Sequence, residues 1–414
     1  MAAQARKIKR GKEQIQACLN RDSLKNKCYD AIVVGAGPAG SYIAYELSAL
    51  NYEVAVLEQK EAPGIGVCCT GIISPECLDS FSIGQDAILT KVHSAKFLSP
   101  SGKLLRLSTD AVQAYVVDRS SFDLAIAEKA QAKGACYLFS SRVTDVVVEK
   151  DYVRVEVIEE GSQKSLAARA AVVATGFKPK LLQNLGLGRI DSFAIGAQME
   201  VETKNVDEIE VYFNRDIAPG FFAWLVPTAR NKALVGLISS SYAHLYLKRL
   251  LLSPFCQGKI TKEGKLRQKL IPLKTLPRTY RDRVLVIGDA AGQVKPTTGG
   301  GIYFGHLGAE IGARVLSEAL RVNDLSARFL SRYAKQWKAK IGRELFLGRQ
   351  AWRLYQRLKN QQIERIFNII SSDGIAESLL RSPDFSFDWH SKLILAALGH
   401  SFKHKILSFT KLRY

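Results

Sequence analysis

A chain of 414 residues, 47% apolar and with a formal charge of +20, reads as a folded protein of two or three structural units rather than a disordered one. No stretch reaches the roughly 18 uninterrupted apolar residues of a spanning helix, Leu393–Leu398 being the best candidate, and the N-terminus lacks the apolar core of a secretory signal. Seven cysteines in so long a chain make no disulfide framework, and a reducing cytoplasm is the simple reading.

The charge is unevenly placed. Residues 1–28 hold eight Lys/Arg against Glu13 and Asp22, and residues 321–414 hold 18 Lys/Arg against seven Asp/Glu. Basic ends attract polyanions. They are suited to an anionic membrane surface, which would make the protein peripheral on the inner face of the membrane. A plain solubilising surface is the alternative. Nucleic acid is not expected, because no binding motif or interleaved basic and aromatic platform accompanies the charge.

In chain order, residues 1–28 read as a basic arm. Ala31-Ile32-Val33-Val34 is a short β-branched run closed by glycine, the pattern of a buried strand. Pro38 to Leu50 reads as a helix and Glu53 to Glu58 as a second strand. Arg119 to Gly134 reads as a helix, Arg142 to Ile158 as a hairpin, and Ala171 to Ala174 as a buried strand. Residues 190–275 are strand-rich, with candidates at Ala194–Val201, Glu208–Phe213, Phe222–Pro227 and Ala233–Ile238. Arg283–Ile287 is one more buried strand, Ile302–Val322 a helix, and most of 326–414 is helical and basic.

The spacing Gly35-x-Gly37-x-x-Gly40, with Pro38 and Ala39 between the last two glycines, falls between a predicted strand and a predicted helix. Gly35 permits the tight turn, Gly37 the approach of a pyrophosphate, and Gly40 the close packing of helix on strand. The helix N-terminus offers free N–H groups to phosphate. Glu58 stands about 20 residues on, where an acid binds ribose hydroxyls. Alone, this signature fits NAD or FAD.

A second glycine-rich stretch runs Gly288-Asp289-Ala290-Ala291-Gly292-Gln293-Val294-Lys295-Pro296-Thr297-Thr298-Gly299-Gly300-Gly301. It resembles the signature of the p-hydroxybenzoate hydroxylase-like flavoprotein superfamily. Asp118-Arg119 and Ala174-Thr175-Gly176 resemble two further corners of that superfamily. The resemblance implies FAD, with Arg119 and Gly176 at the cofactor. It implies that Asp289 accepts from a ribityl hydroxyl and that Pro296 and Gly299 to Gly301 pass close to the flavin ring. A helix N-terminus aimed at an anionic reduced flavin would stabilise it.

Two segments narrow the reading. Ile65-Gly66-Val67-Cys68-Cys69-Thr70-Gly71 and Pro219-Gly220-Phe221-Phe222-Ala223-Trp224-Leu225-Val226-Pro227 resemble segments of the geranylgeranyl reductase family. The second matches that family's pattern at Pro219, Trp224 and Pro227 and departs from it at Phe222 and Val226. The resemblance spans about residues 29–320. On its residues alone, the second segment reads as a core strand. As a substrate wall, Phe222, Trp224 and Pro227 would line a tunnel for a polyprenyl chain, each buried CH₂ of which contributes about 0.8 kcal/mol. Cys68 and Cys69 read either as small buried hydrophobes or as a catalytic thiol pair at the flavin edge, acting as proton donor or substrate guide, with Cys69 favoured over Cys68 and water or Tyr303 as the alternative donor. Their spacing is not that of a metal site, and no metal is expected.

The fold expected is α/β: a Rossmann-like FAD-binding domain at 29–185 and 278–320, an inserted antiparallel β-sheet substrate domain at 186–277, and a basic helical C-terminal region at 321–414. The activity implied is an FAD-dependent reductase saturating double bonds of an isoprenoid lipid or prenyl diphosphate. Hydride would come from reduced FAD, a proton from protein or water, and the electrons from an external donor, NADPH or ferredoxin. The alternative is a flavin-dependent monooxygenase or halogenase of the same superfamily.

Overall fold

The computed structural model describes residues 27–371, 386–392 and 394. The basic arm expected over 1–28 therefore lies outside the described residues except at its last two positions, and so does much of the tail beyond 371.

The first sheet is built on the strand Cys28–Val34, which runs parallel to Val54–Leu57 on one side and to the second half of Ser162–Val173 on the other. Cys136–Leu138 and Val284–Val286 extend it in parallel. Its central residues are apolar on both sides because both faces are covered. Ala31 and Val33 point into a core shared with the helices Pro38–Ala49, Arg119–Ala132 and Ile302–Arg321. Ile32 and Val34 point into a second core under the hairpin Ser141–Val148/Val153–Glu159. The predicted helices and hairpin are thus present, within a few residues of their expected ends.

The second sheet orders its main strands as Phe193–Thr203, Lys232–Ser239, Ala223–Ala229, Ile209–Tyr212, Ser94–Leu98 and Leu104–Ser108. The last two come from the stretch assigned to the first domain. Ser94–Leu98 pairs in parallel with Ile209–Tyr212 and antiparallel with Leu104–Ser108. This edge hairpin is half-exposed and carries Lys96, Lys103 and Arg106, so it lacks the apolar run that marks a buried strand. One face of the sheet packs on the helix Ala243–Leu251 through Leu247 and Leu250. The other face looks back toward the first sheet.

The tail is helical, as expected, over Ala327–Trp337, Arg343–Tyr355 and Asn360–Ser371. It is not a loose appendage. Trp337 is fully buried and donates its Nε1–H to Thr279 Oγ1 at 3.1 Å. Tyr333 donates its hydroxyl to the Val286 carbonyl at 2.9 Å and accepts from Gln293. These bonds fasten the tail to the last parallel strand and to the loop that follows it.

Candidate functional site

Between the two sheets lies a cavity of about 1290 Å³, larger than the roughly 300–1,000 Å³ of an ordinary ligand pocket. One end of it is the glycine turn. Gly35 donates to the Leu57 carbonyl at 2.8 Å, which locks the turn onto the second strand. A Cβ on Gly40 would run into the Gly35 carbonyl oxygen, so only glycine lets the helix start this close. A Cβ on Gly37 would meet no protein atom within 4 Å. The two glycines thus do different work: Gly40 packs, and Gly37 keeps open the space above the helix N-terminus.

Glu58 caps the same turn. Its carboxylate accepts from the Ala36 N–H at 2.9 Å and from the Lys60 N–H at 3.0 Å, and it lines the cavity. Pro38, Ala39, Arg119, Gly176, Gly288, Asp289 and Gly299 to Gly301 line it as well. A Cβ on Gly301 would stand 2.6 Å from Asp289 Oδ1, so a bare backbone is what allows the loop to pass the carboxylate. The open space at Gly37, the carboxylates at both ends of the sheet and the glycine passage at 299–301 fit a dinucleotide cofactor laid across the strand ends, as FAD requires.

Three expected residues do not line this cavity: Gly40, which packs against Gly35, Pro296 and Pro227. Pro296 lies on the far side of its loop, at a smaller pocket. Pro227 is buried in the strand Ala223–Ala229. Side chains alternate along a strand, so Phe222, Trp224 and Val226 face the cavity while Ala223 and Leu225 enter the core beneath. Pro227 falls on the same side as those two.

The cysteine loop crosses the cavity wall. Thr70 donates to Gln198 Oε1 at 2.9 Å, and Gln198 Nε2 donates to the Cys69 carbonyl at 3.3 Å, so the second sheet holds the loop in place. The two thiols have different surroundings. Cys68 turns its Sγ to the Arg267 carbonyl at 3.6 Å, and burial together with the neighbouring Cys69 pushes its pKa up to about 11. Cys69 lies beside the Arg119 guanidinium and its Sγ accepts from the Gly71 N–H at 3.4 Å. Arg119 is itself fixed by two bonds to Asp123, at 2.9 and 3.0 Å. Burial works against the Arg119 charge, but Asp123 and Cys69 more than offset it, and its pKa lies above the usual arginine value. Tyr303 is committed elsewhere. It donates its hydroxyl to Glu76, and burial and that carboxylate raise its pKa.

Beyond the thiols the cavity wall is aromatic. Phe222 lies 5.9 Å from Trp224 and 6.0 Å from Phe213, ring centre to ring centre, and Trp352 stacks on Phe221 at 5.7 Å. Tyr355 donates its hydroxyl to the Phe221 carbonyl at 3.0 Å. The indole Nε1 atoms of Trp224 and Trp352 are buried without a hydrogen-bond partner.

Several cavity residues escaped the sequence reading. Lys269 forms an ion pair with Asp289 at 2.6 Å and lies near Cys69. Gln198, Asp123, Trp352, Tyr355, Phe387 and Asp388 also line the cavity. The Glu-x-x-x-Arg type of spacing, i to i+4 on a helix, was available in reverse order for Arg119 and Asp123. Nothing local marked the others.

The sequence model of the family described as lycopene cyclase protein matches residues 30–375. The digeranylgeranylglycerophospholipid reductase of Methanocaldococcus jannaschii is 28% identical over 366 residues, covering 84% of this chain and 93% of that protein. Digeranylgeranylglycerophospholipid reductase 1 of Methanopyrus kandleri is 29% identical over 369 residues, covering 86% and 97%. Among solved structures, a geranylgeranyl bacteriochlorophyll reductase-like protein of Thermoplasma acidophilum superposes with a TM-score of 0.81 at 22% identity, covering 94% of this chain and all of that one. A flavin-dependent halogenase gives 0.65 at 18%, covering 93% and 78%. The chain belongs to the family of the matching model and, among the FAD-dependent flavoproteins, to the geranylgeranyl reductase family, and it is an FAD-dependent oxidoreductase.

Proposed function

We propose that this enzyme saturates carbon–carbon double bonds of a geranylgeranyl-type isoprenoid chain lying in the cavity. The observation that carries the reading is the continuity of the cavity from the glycine turn and Asp289, past Cys69, to the wall of Phe222, Trp224, Phe213, Trp352 and Tyr355. The names of the relatives support the same substrate class.

Gly35 to Gly40, Glu58, Asp289 and the loop at Gly299–Gly301 would hold the FAD, which when bound supplies the hydride for the reduction. The aromatic wall removes prenyl surface from water, about 25 cal/mol for each Å² buried, and keeps the reacting chain dry. The Cys69 thiol is the proton donor. Arg119, held by Asp123, stabilises the thiolate left when that proton moves to the second alkene carbon. Cys68, with its pKa raised by burial, is a spectator.

The test is product mass. The FAD-loaded protein is reduced without oxygen and given a geranylgeranyl lipid or geranylgeranyl diphosphate. A gain of two hydrogens per bond reduced bears the reading out. A product with added oxygen or halogen from an aromatic substrate in air, and none from any prenyl substrate, replaces it with a monooxygenase or halogenase.

A further inference from the structure

The helix Arg343–Tyr355 separates the cavity from solvent. On its inner side Ala351, Trp352 and Tyr355 line the cavity, and Leu345 and Gly348 are buried. At about 100° per residue, Arg343, Phe346, Gln350, Arg353 and Leu354 lie on the opposite side, and all five are exposed. Phe346 is 60% exposed and Leu354 56%, so two large apolar side chains stand on this one outer face.

The charge on this outer face has one sign. Lys338 and Lys340 precede it and Arg357 and Lys359 follow it, all exposed. The acidic residue of this stretch, Glu344, is buried, its two carboxylate oxygens accepting from the His390 and Ser391 N–H groups at 2.6 and 2.9 Å. Beside Phe346 opens a second pocket of about 380 Å³, also lined by Lys338, Arg349 and Lys274. Lys274 is paired with Asp191 at 2.6 Å, whereas the Arg349 Nε is buried with no hydrogen-bond partner. Two exposed apolar side chains flanked by cations that have no ion-pair partner among the described residues, beside a cationic niche, have the chemistry of an interface with anionic head groups.

We propose that the outer face of Arg343–Tyr355 docks on an anionic lipid bilayer. Phe346 and Leu354 enter the head-group boundary, the flanking Lys and Arg meet lipid phosphates, and the niche at Arg349 takes one head group. The same helix then stands between the bilayer and the cavity, so that a prenyl chain would travel one helix diameter from membrane to site. The proposal rests on the isoprenoid reading for the purpose of the docking, but the face itself is defined by its own residues.

The test uses the full-length, FAD-loaded chain and vesicles of neutral phosphatidylcholine with or without phosphatidylglycerol. Sedimentation with the anionic vesicles is expected, and little with the neutral ones. Arg343→Gln/Arg353→Gln/Arg357→Gln is expected to weaken vesicle partitioning about a hundredfold, at about 1 kcal/mol for each cation near the surface. Phe346→Ser/Leu354→Ser should weaken it without changing charge. Both variants should keep their FAD, their melting temperature and their turnover of detergent-dispersed prenyl substrate. Equal partitioning of variants and parent overturns the proposal, because the binding then resides in the chain ends. Absence of parent binding to anionic vesicles also overturns it. So does a parent dimer that the variants split while vesicle binding is unchanged, which would assign the face to a second copy. If no prenyl substrate is turned over but vesicle binding follows the pattern above, the docking stands and the isoprenoid reading fails.

Discussion

Lys295 and Asp388 form an ion pair at 2.6 Å in which both side chains are more than nine-tenths buried. One residue belongs to the glycine-rich loop and the other to the C-terminal segment. Ser74 donates to the same carboxylate, Lys295 also donates to the Phe387 carbonyl at 3.1 Å, and Thr297 bonds to His390 at 3.0 Å. The segment around Asp388 is thereby pinned across the loop proposed to pass the flavin.

Breaking this pair from one side leaves a buried charge alone, at a cost of about 3–5 kcal/mol. Lys295→Met and Asp388→Asn should each lower stability to urea by that order and release FAD more readily. The double variant Lys295→Met/Asp388→Leu should recover much of the loss, because an apolar pair removes both buried charges. Urea unfolding of the three variants, followed by flavin and tryptophan fluorescence, measures it.

The two glycines of the turn should fail in different ways. Gly37→Ala places a methyl where no protein atom stands within 4 Å, so the apoprotein should melt as the parent does while FAD affinity falls. Gly40→Ala drives the helix off the Gly35 carbonyl and should destabilise the apoprotein itself. Melting temperatures without cofactor, set beside FAD titrations, separate the two.

The thiols should also separate. Cys69→Ala should lower turnover by about 10² or more, the scale of a lost general acid, whereas Cys68→Ala should stay within about threefold of the parent. Iodoacetamide near neutral pH should spare Cys68, whose pKa is pushed up to about 11. Peptide mass mapping reads the site of labelling.

Acid stability has a defined sign. His306 packs against Tyr42 and Phe81 at 4.1 and 4.5 Å, its Nδ1 has no partner, and burial lowers its pKa from 6.5 to about 4. The pKa of His390 is lowered too, by burial first and then by Lys295. The unfolded chain therefore binds more protons between about pH 6.5 and 4, and stability should be lost as pH falls through that window. His306→Phe should flatten part of the slope. Melting temperature against pH for parent and variant checks it.

What the sequence could show was decided by how local the signal is. Gly35, Gly37, Gly40 and Glu58 lie on one strand-turn-helix-strand unit, so their order alone implied their places. Pro227 was misplaced because a family pattern was followed where strand alternation, counted two by two from Trp224, puts it in the core. Ser94–Leu98 and Leu104–Ser108 form a half-exposed edge whose lysines and arginine break the apolar rhythm. Trp352, Tyr355 and Asp388 come from a tail read as basic and helical. Trp352 and Tyr355 follow the anchors of Tyr333 on Val286 and Trp337 on Thr279, and Asp388 is held by Lys295 and Ser74, tertiary facts without a local mark. Lys269 was hidden for the same reason, since its partner Asp289 is close in space and not in its own strand.

The central claim is that electrons pass from FAD to an isoprenoid double bond in this cavity. The most direct measurement is anaerobic: the dithionite-reduced protein is mixed with a geranylgeranyl lipid while the flavin absorbance is followed and the lipid is analysed by mass. The account predicts return of the oxidised flavin spectrum with one double bond saturated per flavin, slowed in Trp224→Ala and in Cys69→Ala. Flavin that stays reduced with every prenyl substrate, and is reoxidised only when oxygen and an aromatic substrate are admitted, would contradict it.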